Sequence, residues 1–327
     1  MNVPVRLRKG IAEICILISL LSMSNNHTPN LPNRRETIKQ LAVGAGALAL
    51  PKFLQAKGTL ASNGLTLAVQ QYSFNRQLRD RTFDILDFPK TVVEGTGVTA
   101  LEYFNGHILD KVKDTRFFRE LKKRSNDVGA TCTMMLCRSD VALDSPDSST
   151  RYSAVEGYIP WMEAVRLLGG SAIRVDCRSD GDFEEQKKFA IDGLRQLCDV
   201  ATPFGMNILV ENHGGFSSNG KWLADVMSKV KKRNCGTLPD FQNFHGYDPY
   251  KGVEEIMPYA KIVCAKSKEF DSEGNETNVD YRRMMKIVLD SGFKGSIGIE
   301  FEGRGVDPVK GILATKRLIE RVVGELA

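Results

Sequence analysis

Eight short apolar segments recur between residues 65 and 302, and segments with a helical period separate most of them. The apolar segments are LTLAVQQYSF, VTALEYFN, ATCTMMLCR, SAIRVDC, MNILVEN, CGTLPDF, AKIVCAKS and GSIGIEFE. They are rich in residues that favour strands. Helical spacing predicts helices at 155–168, 183–202, 221–230, 279–291 and 307–322. Strands that alternate with helices in this number predict a (β/α)8 TIM barrel.

A doubly wound parallel sheet is the alternative architecture. It would need a glycine-rich phosphate turn directly after the first strand. The first strand ends instead in QQYSFN, and no GxGxxG follows it. The sequence therefore favours the barrel, as a single domain over residues 58–327.

A leader is predicted before the barrel. Arg34 and Arg35 precede a weakly hydrophobic run that is rich in glycine and alanine, and small residues follow this run. The pattern resembles a twin-arginine export signal, which predicts a leader at residues 1–57 and a periplasmic mature protein. The apolar runs at 11–23 and 41–50 are shorter than the roughly 20 residues that span a bilayer, so we expect no membrane insertion.

The net positive charge of the chain comes from the predicted leader. Residues 58–327 hold 37 basic and 38 acidic residues, whereas the whole chain carries a net charge of +5. A nearly neutral barrel lacks the clustered positive charge that nucleic acid requires, so no nucleic-acid partner is expected.

The six cysteines after the leader form no CxxC pair, which argues against a structural zinc site. The sequence leaves open whether the chain forms a homo-oligomer.

Polar residues follow or end most of the apolar segments. Because the active site of a TIM barrel lies at the C-terminal ends of its strands, we expect these side chains to share one mouth. Three carboxylates in that mouth, Glu211, Asp240 and Glu300, would repel each other without a cation. Oxygen ligands favour Mg²⁺ or Mn²⁺ over zinc. The sequence therefore predicts a divalent metal ion at these carboxylates.

Four motifs, in the order ENHGG, GTLPDFQNF, AKSKEFD and GIEFEG, carry a resemblance. They resemble the sugar phosphate isomerase/epimerase family of xylose-isomerase-like TIM barrels. The resemblance implies one divalent metal bound by Glu211, Asp240, the strand-seven position Cys264, and Glu300. It also implies that Glu211 and Glu300 are the catalytic acid/base pair on either face of a sugar.

The chain departs from the family pattern at strand seven. The family has His-x-Lys where this chain has Cys264-Ala265-Lys266, so the imidazole ligand is missing. His213 lies on the same side of an extended strand as Glu211, and it is therefore a candidate to replace that ligand or to bind substrate. The predicted substrate-binding residues are Tyr72, Glu102, Arg174, His213 and Lys266.

Proton abstraction next to a carbonyl fits these residues. One carboxylate takes the proton from the carbon and another returns it, while a divalent cation stabilises the enediolate oxygens. We therefore expect a sugar isomerase or epimerase that acts on a small-molecule sugar. The same abstraction would also allow a lyase or hydrolase to cleave an oxidised keto-glycoside, which export favours. A third alternative is a sugar-binding barrel without turnover, as the missing histidine suggests.

Overall fold

Eight parallel strands form the centre of the part of the chain that the structure describes. The computed structural model describes residues 60–179 and 181–327, so the predicted leader lies outside the described residues. Strands β1 to β8 are Leu65–Gln70, Ala100–Phe104, Thr131–Leu136, Ala172–Val175, Asn207–Glu211, Cys235–Leu238, Ile262–Ser267 and Gly295–Phe301. Each strand lies inside one of the predicted apolar segments, which confirms the strand predictions.

The strands form a nearly closed barrel. They pair in the order β6-β5-β4-β3-β2-β1-β8-β7, and every ladder is parallel. Two isolated parallel bridges, Thr237 with Ala260 and Asp240 with Cys264, join the β6 side to the β7 side. The (β/α)8 TIM barrel is therefore confirmed as a single domain, and the doubly wound sheet is excluded.

Helices connect the strands. Helices α1 to α9 are Asn75–Arg79, Phe88–Thr96, Thr115–Asp127, Ser148–Leu168, Phe183–Ala201, Gly220–Val230, Pro249–Ile256, Tyr281–Asp290 and Pro308–Leu326. Helix α4 begins at Ser148 rather than at residue 155, because the Asp147 carboxylate accepts a hydrogen bond from the Thr150 backbone N–H and caps the helix. Among the described helices, none combines the length and apolarity needed to cross a membrane.

Side chains alternate between the two faces of the strands. In β5, Ile208 and Val210 belong to the large apolar core, whereas Leu209 belongs to a smaller cluster that also includes Met134 and Cys264. Because alternate residues of a barrel strand point inward and outward, the smaller cluster fills the barrel interior. This apolar filling supports the polar side chains at the C-terminal ends of the strands.

Candidate active site

The C-terminal ends of the strands surround a cavity of about 210 Å³. Six residues predicted from the sequence line it, and these are Tyr72, Arg174, Glu211, His213, Lys266 and Glu300. Asp240 is fully buried and reaches the same group of side chains through Lys266. The structure thus brings together the predicted mouth residues with one exception, Glu102.

Lys266 lies at the centre of an acidic cluster. Its Nζ atom is 2.9 Å from an oxygen of Glu302, 3.2 Å from one of Glu300 and 3.5 Å from Oδ2 of Asp240. Burial alone would lower the pKa of Lys266, but the carboxylates of Asp240, Glu300 and Glu302 raise it well above its usual value. Lys266 is therefore an ammonium ion that compensates buried negative charge.

The same environment shifts the pKa values of two neighbouring carboxyl groups in opposite directions. Burial raises the pKa of Glu300 well above its usual value, although the charge of Lys266 opposes this shift. For Glu302 burial acts in the same direction, but the charge of Lys266 and hydrogen bonds with Glu300 and Lys266 together outweigh it, and the pKa falls to about 2. The pKa values of these two carboxyl groups therefore move in opposite directions, and Glu302 is the more acidic of the two.

Three buried residues can hold a metal ion. Asp240, Cys264 and Glu300 each offer a ligand atom within 4.8 Å of the other two. Oδ2 of Asp240 has no hydrogen-bond partner within the described part of the chain. Burial and the charges of Asp240 and Glu300 raise the pKa of the Cys264 thiol well above its usual value, and this thiol donates a hydrogen bond to Oε2 of Glu300 at 3.3 Å. These three residues are therefore a possible metal site that offers two carboxylates and one thiol.

Glu211 lies in a second ionic group around Arg174. Nε of Arg174 is 2.6 Å from Oε2 of Glu211, and its Nη1 is 2.8 Å from Oδ1 of Asp176. Asn243 donates a hydrogen bond to the other oxygen of Glu211 at 2.8 Å. One oxygen of this buried carboxylate thus accepts a hydrogen bond and the other is in ion-pair contact with Arg174, and the predicted role of Glu211 as a metal ligand stays a prediction.

His213 lies at the rim of the cavity with about one third of its side chain exposed. Its Nδ1 atom is 3.2 Å from Oδ1 of Asp176. Burial would raise the pKa of Asp176, but Arg174 and His213 lower it to about 2. His213 thus contacts the Arg174 group, and it is not part of the metal-competent group that Asp240, Cys264 and Glu300 form among the described residues. Its replacement of the strand-seven ligand stays a prediction.

Tyr72 supplies an aromatic wall. It lies in a turn directly after β1, and its ring packs edge to face on that of Phe104 with centroids 5.2 Å apart. Both rings line the cavity. Such a surface suits the apolar face of a sugar ring.

Glu102 lies deeper than predicted. Strand β2 continues to Phe104, so Glu102 is inside the strand, fully buried, and does not line the cavity. Burial raises its pKa to about 8, while the side chains of Gln70 and Thr133 act in the opposite direction. Gly298 of β8 leaves room for this carboxyl group, since an added Cβ there would collide with it. The predicted contact of Glu102 with substrate stays a prediction.

Asn212 is a site residue that the sequence analysis does not assign. Its Nδ2 atom donates to the backbone oxygen of Asp240 at 3.0 Å, and its Oδ1 atom accepts from the backbone N–H of Asp240 at 2.8 Å. This reciprocal pair fixes Asp240 to the end of β5. The signal in the sequence is a polar residue between Glu211 and His213, which must find partners if it is buried.

Comparison with known proteins gives one family match. The model of the family described as xylose isomerase-like TIM barrel matches residues 91–322. A curated relative, the alpha subunit of a C-glycoside deglycosidase from Arthrobacter globiformis, is 29% identical over 89 residues. That match covers 25% of this chain and 25% of the relative, so the chain spans a quarter of the relative's length.

Many solved structures are similar in fold, and two of them illustrate this. A 3-keto-D-glucoside 4-epimerase from E. coli has a TM-score of 0.60 at 14% identity, and the match covers 79% of this chain and 99% of that chain. A xylose isomerase-like TIM barrel protein from Mycobacterium smegmatis, solved with magnesium, has a TM-score of 0.60 at 16% identity over 80% of this chain and 97% of that chain. At these identities the likeness concerns the fold alone.

Proposed function

The chain belongs to the xylose isomerase-like TIM barrel family, and from that premise we propose that it is a metal-assisted isomerase or epimerase of a sugar or sugar derivative. The observation that carries this proposal is the pair Glu211 and Glu300. The two carboxyl groups come from different strands, line one cavity and are each held by a separate buried cation, Arg174 or Lys266. Their environments differ, as general acid/base catalysis by two carboxyl groups requires.

The reaction begins with removal of a proton from the carbon next to the carbonyl group. Strands β5 and β8 lie on different walls of the barrel, so Glu211 and Glu300 can act on opposite faces of a bound sugar. One takes the proton and the other returns it, to the same carbon in an epimerase or to its neighbour in an isomerase. Tyr72 positions the ring of the sugar from the side.

Asp240 and Glu300, with Glu211 as a third carboxylate, are the residues that would hold Mg²⁺ or Mn²⁺. A bound divalent cation supplies positive charge beside the oxygens that become negative when the proton leaves. The Asn212 pair keeps Asp240 in place for this role. Cys264 remains a protonated thiol.

Cleavage of an oxidised keto-glycoside is the second candidate. It begins with the same proton abstraction and continues with departure of the group linked to the sugar. Two observations support it: the partial match to a C-glycoside deglycosidase subunit, and a larger cavity next to the site that can hold a linked group. The proposed twin-arginine export also favours it, because a periplasmic enzyme meets glycosides.

Proton exchange into deuterated water tests both candidates. The purified protein, loaded with Mn²⁺ or Mg²⁺, is incubated with a panel of sugars and keto-glycosides, and NMR follows the proton next to the carbonyl. Exchange without cleavage supports the isomerase or epimerase, and cleavage supports the second candidate. Glu156→Gln changes an exposed glutamate and serves as the control for Glu211→Gln and Glu300→Gln. If the wild type exchanges no proton in any member of the panel, both reactions are refuted.

A further inference from the structure

A second cavity adjoins the candidate active site. It has a volume of about 760 Å³ and lies beside the ends of β1 and β8. Tyr72 and Glu302 line both cavities, so they form the boundary between them. A ligand whose sugar ring lies between Glu211 and Glu300 can therefore extend past Tyr72 into the second cavity.

The second cavity carries an excess of positive charge. Two carboxylates line it, those of Glu269 and Glu302, and Glu302 is already paired with Lys266. The cationic side chains in its wall are Arg76, Arg79, Lys268 and Arg304. Residues 58–327 as a whole are nearly neutral, with 37 basic and 38 acidic residues. The positive charge is thus a local feature of this cavity.

Two of the four cations are already engaged. Arg76 donates to the backbone oxygens of Glu302 and Gly303, and Arg79 pairs with Asp80 at 3.3 Å. The Arg76 contacts hold the segment after β8 against helix α1. Arg76 is therefore chiefly part of the frame of the cavity.

Lys268 and Arg304 are the other two cations of this wall, and the charge of Lys268 contributes to the lowered pKa of Glu302. Neither side chain forms a hydrogen bond or an ion pair in the described part of the chain. Their backbones belong to adjacent segments, because an added Cβ on Gly303 would collide with the backbone oxygen of Lys268. Lys268 is half-buried and Arg304 is exposed. Both positive charges are available to a ligand.

We propose that this cavity is a subsite for an anionic group, a carboxylate or a phosphate, on the part of the substrate beyond the reacting sugar ring. Arginine and lysine bind such groups through charge-assisted hydrogen bonds. The inference rests on the proposed function for the position of the sugar ring, and it assigns the substrate to the class of acidic glycosides. Lys268 and Arg304 set this specificity without contact with the reacting atoms.

Calorimetric binding of three synthetic glycosides tests the subsite. The probes are para-carboxyphenyl, para-phosphooxyphenyl and para-carbamoylphenyl β-D-glucopyranoside, of which the last is neutral. None contains a carbonyl in the sugar ring, so the proposed chemistry does not turn them over. The wild type is expected to bind the tighter acidic probe at least about tenfold more strongly than the neutral one, as one or two charge-assisted hydrogen bonds would give.

The double variant Lys268→Ala with Arg304→Ala should lose this preference and bind the neutral probe as the wild type does. The matched control replaces two exposed cations on α5 and α3, Lys188→Ala with Arg119→Ala, and should keep the preference. Equal affinity of the wild type for all three probes, including no binding of any, would overturn the inference. A preference that survives in the double variant would overturn it as well. Preference for the acidic probes without proton exchange on any substrate would count against the proposed function alone.

Discussion

Glu102 allows a test of how burial in the barrel interior affects the protonation of a carboxyl group, and this test needs no substrate. Its carboxyl group is fully buried inside β2, next to Gly298 of β8. Desolvation raises its pKa from 4.5 to about 8, with a smaller contribution from the charge of Glu211. The folded protein therefore keeps a proton on Glu102 at a pH at which the unfolded chain has released it.

The size of the effect follows from the two pKa values. Between pH 4.5 and about 8, the folded state binds one more proton at Glu102 than the unfolded state. The free energy of unfolding then falls as pH rises, by about 1.4 kcal/mol per pH unit. From about pH 5 to about pH 7.5 the wild type should lose about 3 kcal/mol through this one residue. Below the lower pKa both states are protonated, and no loss remains.

Glu102→Gln removes the titration and nearly preserves the shape of the side chain. Urea unfolding of wild type and variant at several pH values between about 5 and 8 measures the difference. The variant should match the wild type near pH 5 and exceed its unfolding free energy by about 3 kcal/mol near pH 7.5. Glu156→Gln, on the surface of α4, should follow the wild type at every pH. A difference between Glu102→Gln and wild type that does not change with pH would show that burial does not hold the proton on Glu102.

Three further predictions concern the acid/base pair, strand seven and the leader. Glu211→Gln and Glu300→Gln should each lower proton exchange at least about 100-fold without loss of the fold, measured by NMR and circular dichroism; near-normal exchange would remove that residue from the mechanism. Calorimetry with Mn²⁺ on the metal-stripped protein should give nearly unchanged affinity for Cys264→Ala and tighter binding for Cys264→His, and a large loss in the alanine variant would show that the thiol is a ligand. Replacement of Arg34 and Arg35 by lysine should retain the protein in the cytoplasm on cell fractionation, because the receptor reads the arginine pair; normal export of that variant would contradict the leader.

The strands were predictable from the sequence because each is a short apolar run that ends in polar residues. Helix α4 was only partly predictable. Its first turn contains no apolar residue at helical spacing, and its start depends on the single hydrogen bond that Asp147 accepts. Hydrophobic periodicity reports burial, whereas a polar first turn depends on a cap. The predicted start was therefore late, and the predicted end at Leu168 agrees with the structure.

The members of the site were predictable, but their contacts were not. Strand ends in a barrel must converge, which places Arg174, Glu211, Lys266 and Glu300 in one mouth. Which cation pairs with which carboxylate depends on distances of a few ångströms between different strands, and sequence spacing carries no such information. The depth of Glu102 was not predictable either, because strand β2 continues for two residues beyond it and its side chain is fully buried.

The buried carboxylates of the site form two groups, one around Arg174 and one around Lys266. The positive charge in each group compensates part of the negative charge, which allows these carboxylates to be buried. Arg174 compensates Glu211 and Asp176, and Lys266 compensates Asp240, Glu300 and Glu302. The Lys266 group holds three carboxyl groups for one ammonium ion, so it accommodates its excess either by keeping a proton on Glu300 or by binding a further cation. A divalent ion at Asp240 and Glu300 would compete with a proton for the same carboxyl oxygens. Metal binding at this site would therefore favour release of a proton, whereas in the neighbouring group Arg174 contacts both Glu211 and Asp176.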